Sequence, residues 1–147
     1  MDSKKLLLSI LFLAGLPGTC LAGGNSIAFV DSVKGEATIL NEAQSVSAVA
    51  NMKMFAGDTV RTGANGTVGL IFNDDTVVAI GPESEMKVED FLFDPAEGEL
   101  SFVAKMIKGT FSFITGQIAK LAPEKVHLET PEATLGVRGT KFAVEIE

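Results

Sequence analysis

Glycine or proline interrupts this chain at intervals of about 8 to 15 residues, and between the interruptions lie short runs of apolar and β-branched residues. Short β-branched or alternating runs bounded by Gly or Pro turns read as strands. The cadence therefore predicts an all-β single domain of short antiparallel strands, a sandwich or a rolled sheet. A β-solenoid is the alternative, because Gly-x-apolar units recur, although at no fixed period.

Read in order, AFVDSVKGEATIL at 28–40 is a strand, a bend at Gly35 and a second strand. The stretch 45–55 is ambiguous, since Val46, Val49, Met52 and Phe55 would line one helical face yet a bowed strand fits equally. The clearest hairpin is 67–80, GTVGLIF joined to TVVAI through Asn73, Asp74 and Asp75, residues that tolerate left-handed backbone. In SEMKVEDFLF at 84–93, Met86 and Val88 alternate with Glu85, Lys87 and Glu89. Turn residues at 94–98 precede two apolar runs, 99–107 and 110–115, split by Lys108 and Gly109. One short helix is expected at 116–121, with Thr115 as its cap and Pro123 as its stop. Strands at 125–130 and 140–146 bring the total to about eight or nine.

At the N-terminus, Lys4 and Lys5 precede an apolar run over 6–16 and then Pro17, Gly18 and Cys20-Leu21-Ala22, the three regions of a secretory signal peptide. Residues 1–22 are expected to be removed, leaving a β domain at 23–147 in the periplasm or outside the cell. A run of eleven residues falls short of the roughly 20 that a membrane-crossing helix requires, so no stable membrane insertion is expected after removal. The alternative is a lipid anchor on Cys20, but Pro17 and Thr19 stand where a lipoprotein box has Leu and a small residue. Without Cys20 the exported part has no cysteine and needs no disulfide.

Composition narrows the function. Loss of Lys4, Lys5 and Asp2 leaves 10 basic and 18 acidic residues, a net charge of −8, with the basic residues scattered. A nucleic acid partner is thereby excluded, since phosphate recognition needs a clustered cationic face. Trp and Tyr are absent, and ten Phe supply the aromatic surface. A single His127 makes no zinc site. Asn73, Asp74, Asp75, Glu83, Glu85 and Asp94 lack the spacing of a dedicated calcium loop. No G-x-S-x-G elbow surrounds Ser112, and the alternating Glu83, Glu85 and Glu89 read as a solvated strand face. The expectation is a protein that is not an enzyme and carries no cofactor or metal.

Polar groups beside glycine turns are the candidate contacts: Arg61, Asn65, Arg138 and Lys141. Gly57, Asp58, Gly63, Gly81, Pro82, Gly136 and Gly139 are read as structural turn residues. Asp58 is expected to accept backbone N–H bonds in its turn. The GVRGT segment at 136–140 has two readings, an anion nest served by Arg138 or a bulged turn whose Arg is structural, the second being the simpler.

These motifs, GDTVRTG at 57–63, NDDT at 73–76, GPES at 81–84 and TPEATLGVRGT at 130–140, occur in the order found in the FecR domain family, which the chain resembles over most of 32–146. The resemblance implies a periplasmic β module that binds a ligand or protein. In founding members that module follows a membrane helix and a cytoplasmic segment that controls a sigma factor, with the signal received from an outer-membrane receptor. Only five residues precede the apolar run here. The expectation is accordingly a stand-alone, exported, non-enzymatic binding or scaffolding module of the bacterial cell envelope, its partner an envelope protein or glycan. The alternative is a component of a cell-surface signalling system without the cytoplasmic segment.

Overall fold

The computed structural model describes residues 25–42, 44–137 and 139–147. The expected signal peptide 1–22, Cys20 within it, and Arg138 lie outside the described residues. The strands are β1 (Ala28–Lys34), β2 (Ala37–Leu40), β3 (Ser45–Ser47), β4 (Lys53–Met54), β5 (Thr59–Thr62), β6 (Thr67–Phe72), β7 (Val77–Ile80), β8 (Glu85–Asp94), β9 (Glu99–Ile114), β10 (Val126–Glu129), β11 (Thr134–Gly136) and β12 (Lys141–Ile146). One short helix, α1 (Gln117–Leu121), follows β9.

Four long ribbons carry the architecture, and each bends once near its middle. β1 with β2 forms the first, β5 with β6 the second, β7 with β8 the third, and β9 alone the fourth. Their halves pair side by side in two layers. The first layer has the order β4-β1-β6-β7-β9-β12 and the second β3-β2-β5-β8-β9-β10-β11, so that β9 belongs to both. All neighbours are antiparallel except β9 and β10. The whole is one all-β sheet curled on itself, and its antiparallel meander distinguishes it from a stacked solenoid.

The four bends lie next to one another and make a seam. Gly63 donates its N–H to Glu36 O at 3.0 Å, Glu83 donates to Gly63 O at 3.0 Å, and Gly81 donates to Thr110 O at 2.9 Å. Two buried side chains fill the remaining places. Thr62 Oγ1 accepts from Ser84 N–H at 2.9 Å and donates to Gly81 O at 2.7 Å. Ser84 Oγ accepts from Thr110 N–H at 3.0 Å and donates to Pro82 O at 3.0 Å. Gly109 bends β9 with φ +107, and a side chain there would overlap Ser84. The runs at 99–107 and 110–115 are thus one bent strand, since pairing with β8 and then β7 continues through the glycine.

Alternation puts Val68, Leu70 and Phe72 of β6, Val78 and Ile80 of β7, and Phe111 and Phe113 of β9 into the interior between the layers. In β8 the phase changes. A register shift between Val88 and Asp90 turns Phe91 inward after Met86 and Val88. Phe91 then meets Phe72 of the first layer and Phe102 of the second, with ring centroids 5.4 and 5.3 Å away. The ambiguous stretch 45–55 resolves into two short edge strands, β3 and β4, with a turn at Asn51 (φ 72) between them.

α1 closes one side of the opening between the layers, opposite the seam, and buries Ile118 completely. Its cap is not Thr115. The helix begins after Gly116, whose own position supplies no side-chain bond, while Thr115 Oγ1 is turned toward Gly139 O and Thr140 O, each at 3.2 Å. Asp74, fully buried in the β6–β7 turn, does the capping from 44 residues away in sequence: Oδ2 accepts from Ile118 N–H at 3.0 Å and from Thr76 Oγ1 at 3.0 Å, and Oδ1 accepts from Thr76 N–H at 3.1 Å. Replacing Asp74 by Ala strands these donors away from water and should lower the unfolding free energy by about 2 to 4 kcal/mol in urea titrations. The neighbouring Asp75→Asn, at an exposed position, should change it by less than about 0.5 kcal/mol.

Candidate functional site

On the side that α1 leaves open, the ends of both layers diverge and form a cleft of about 770 Å³. Its first wall is the start of β1 and the end of β6, with Ser26, Ile27 and Asn73. Asn73 ties them together, since its Nδ2 donates to Ser26 O at 2.8 Å and its N–H to Ile27 O at 2.9 Å. The opposite wall is the end of β8, where the register shift that buries Phe91 leaves the next side chain, Leu92, 43 % exposed. Phe55, 41 % exposed, stands at the rim on the turn before β5.

Asp58 lies at the base. The turn 55–58 is fixed to β8 by Gly57 N–H on Val88 O (2.7 Å) and Val88 N–H on Asp58 O (3.1 Å), with Gly57 at φ +95. Asp58 Oδ2 accepts the Phe55 N–H at 2.9 Å. Its Oδ1 has no donor among the described residues. No fully buried side-chain oxygen lacks a partner there, so Oδ1 keeps some accessible surface, and Asp58 belongs to the lining of the cleft. Although the side chain as a whole is only 6 % exposed, one oxygen is available to an incoming group. Burial pushes the carboxyl above its ordinary value of 3.8, and the Phe55 N–H bond pulls the other way. Among the described residues Asp58 and Asp94 are the charged members of the lining, and no lysine or arginine shares it.

A desolvated carboxyl beneath Phe55, Phe91 and Leu92 is suited to a cation carried on an apolar stem. The cation replaces the water that the carboxyl has lost, and the stem covers apolar surface. Among the described residues no three His, Cys, Asp or Glu side chains converge on a point where a metal ion would sit. Asp74 has both oxygens engaged within the protein, and Glu85 pairs with Arg61.

The contacts expected beside glycine turns occupy different places. Arg61 extends from β5, where its Nε meets Glu85 Oε1 at 3.2 Å across the strand pair, and lines a small groove with Glu36, Thr38, Thr62 and Gly63. A half-exposed pair of this kind contributes less than about 1 kcal/mol. Asn65 is exposed on the corner between β5 and β6. Lys141 opens β12 opposite Ile114, five residues along β9 from the bend at Gly109, or about 17 Å at the strand rise. Arg138 lies outside the described residues. Arg61, Asn65 and Lys141 share a turn grammar but no cavity. Of the residues read as turns, Gly63, Gly81 and Pro82 belong to the seam, Gly136 ends β11 opposite His127, and Gly139 (φ +84) precedes β12. Sequence reasoning overlooked Phe55, Asn73, Phe91 and Leu92 as cleft residues. Their signal was weak, because the shift after Val88 is invisible in a simple alternation.

The family profile described as FecR protein matches residues 58–147. The chain belongs to the FecR family. That membership associates it with the cell envelope. The matched part contains Asp58, Asn73 and the β8 wall of the cleft, whereas Asn25, Ser26, Ile27, Asn41 and Phe55 precede it. A solved structure described as "Cell surface anchoring domain" is similar, with 35 % sequence identity, 42 % of this chain and 83 % of that chain covered, and a TM-score of 0.40. No curated protein matches the chain.

Asp58 gives this FecR domain a pH signature. Because its folded pKa is raised, the group favours the folded state most below the unfolded value of 3.8, and that contribution is lost as pH rises through the folded pKa. Asp58→Asn, which keeps an acceptor for Phe55 N–H, should therefore be more stable than the parent at pH 7. The difference should shrink as pH falls toward 4, as read from urea midpoints at each pH.

Proposed function

We propose that the protein is an exported, non-enzymatic recognition module of the bacterial cell envelope, periplasmic or secreted, which holds a partner protein by a cationic, apolar-flanked segment seated in the cleft. The observation that carries this reading is Asp58, a desolvated carboxyl with one oxygen unpaired, in a cleft lined by Phe55, Phe91 and Leu92 and, among the described residues, by no basic side chain. FecR membership and the leader-like 1–22 segment support the envelope and export parts. Among the described residues no helix is long and apolar enough to cross a membrane. A protein segment is favoured over a glycan because the chain has neither Trp nor Tyr to stack on a sugar ring.

The probe is n-hexylammonium, a cation on an apolar stem, titrated into isotopically labelled protein. Amide shifts should move at Phe55, Asp58 and Leu92, and the affinity should fall at least about fivefold in Asp58→Asn and as the pH drops through the Asp58 pKa. Shifts that ignore both changes, or that occur elsewhere, would refute the assignment of the cleft. Immobilised protein should then retain an envelope protein that Asp58→Asn releases.

FecR membership also supports a second reading, in which the same cleft receives a surface signal. Under that reading, deletion silences an envelope response while the retained partner stays abundant.

A further inference from the structure

β12 is six residues long and pairs along one side with β9; among the described residues nothing pairs along its other side. The opposite edges of the curled sheet are β3 and β4, only three and two residues long, a common protection against unwanted pairing. β12 is longer, and its two charges, Lys141 and Glu145, lie on the outer face. It contains no proline and no bulge, and no charge points inward.

Its inner face is also incompletely covered. Inward residues of the neighbouring strands, such as Leu70, Val78, Ile80, Phe111 and Phe113, are buried. Phe142, Val144 and Ile146 of β12 are only half-buried, although they pack on the same core. Beside them a cleft of about 500 Å³ is lined by Leu135 of β11, Val144 and Ile146 and rimmed by Glu132, Glu145 and Glu147. The edge thus has unpaired backbone and partly wet apolar side chains together, which one further strand would cover.

The pattern on β12 itself specifies that strand. Thr115 donates its N–H to Thr140 O at 2.8 Å, so residues 140, 142, 144 and 146 direct their backbone groups to β9. By alternation, Lys141, Ala143 and Glu145 direct theirs to the open edge, and the same three side chains lie on the outer face. We propose that this edge pairs with the β12 of a second copy of the chain, antiparallel about a two-fold axis at Ala143. In that register Ala143 faces its counterpart. Lys141 of each copy faces Glu145 of the other, giving two reciprocal ion pairs, and on the inner face Phe142 of each copy meets Val144 of the other. Outward backbone groups, charges and apolar residues all match in this arrangement, and the charge at Glu145 separates it from the register two residues further on, in which Lys141 would meet Glu147. The first layer then continues unbroken through both copies. The surface lies away from the Asp58 cleft, so it is independent of the reading given for that site.

Light scattering and sedimentation of the full chain should show a dimer. Lys141→Glu places like charges opposite each other twice and should raise the dimer dissociation constant at least about tenfold; Glu145→Lys should do the same. Mixed together, these two variants should associate again, because every cross-strand pair then joins Lys to Glu. Both positions are exposed, so an unchanged circular dichroism spectrum is expected for each. A monomeric parent protein would overturn the proposal. So would a dimer indifferent to the single substitutions, or variants that fail to recover on mixing.

Discussion

The seam is the constraint from which the rest of the structure follows. Four ribbons bend at the same level, and each bend leaves backbone groups that a straight ladder would have paired. Thr62 and Ser84 supply the missing partners, one hydroxyl each acting as donor and acceptor. Because both are buried, an unmade bond there would carry the full cost of desolvation. The bends are therefore locked together, and the sheet folds as two layers instead of lying flat.

Layers joined along one seam diverge at the opposite side, and the protein treats that opening in two ways. On the β9 side it inserts α1, a helix of five residues that is too short to hold its shape alone. Asp74 compensates by capping it from the β6–β7 turn. On the β1 side the opening stays free and becomes the cleft around Asp58. The contrast between the two aspartates is instructive. Asp74 satisfies several donors and serves the fold, whereas Asp58 meets one donor and leaves an oxygen toward solvent-accessible space. That incompletely satisfied carboxyl, in an otherwise well-satisfied domain, is what the proposed recognition role rests on.

Much of the fold was legible in advance. The 67–80 hairpin, the inward Met86 and Val88, the bend at Gly35 and the short helix near 117 all rest on local turn chemistry and alternation, which neighbouring residues set among themselves. The order of the FecR motifs was equally plain. The joining of 99–107 with 110–115 was not, because a glycine that ends one strand and a glycine that bends one look alike until the flanking strands are in place. The cap of α1 was assigned to the nearest hydroxyl, Thr115, when the acceptor comes from a distant turn. Asp58 accepts a backbone N–H in its turn as the sequence suggested, but the cleft around it was not legible, because its walls come from β1, β6 and β8; Arg61, Asn65 and Lys141, alike in sequence surroundings, lie apart in space.

Besides the family, shown by the order of its motifs, what the sequence alone determined is a set of local decisions: where most turns fall and which side chains of regularly alternating strands point inward. These depend on backbone preferences and hydrophobic periodicity, interactions that act within a few residues. Only the tertiary structure decided where the bends align, which aspartate is used up by the fold and which remains open, and which edge is left unpaired. Those properties depend on groups brought together from positions tens of residues apart, and a one-residue shift such as that after Val88 is enough to exchange the buried and exposed faces of a strand.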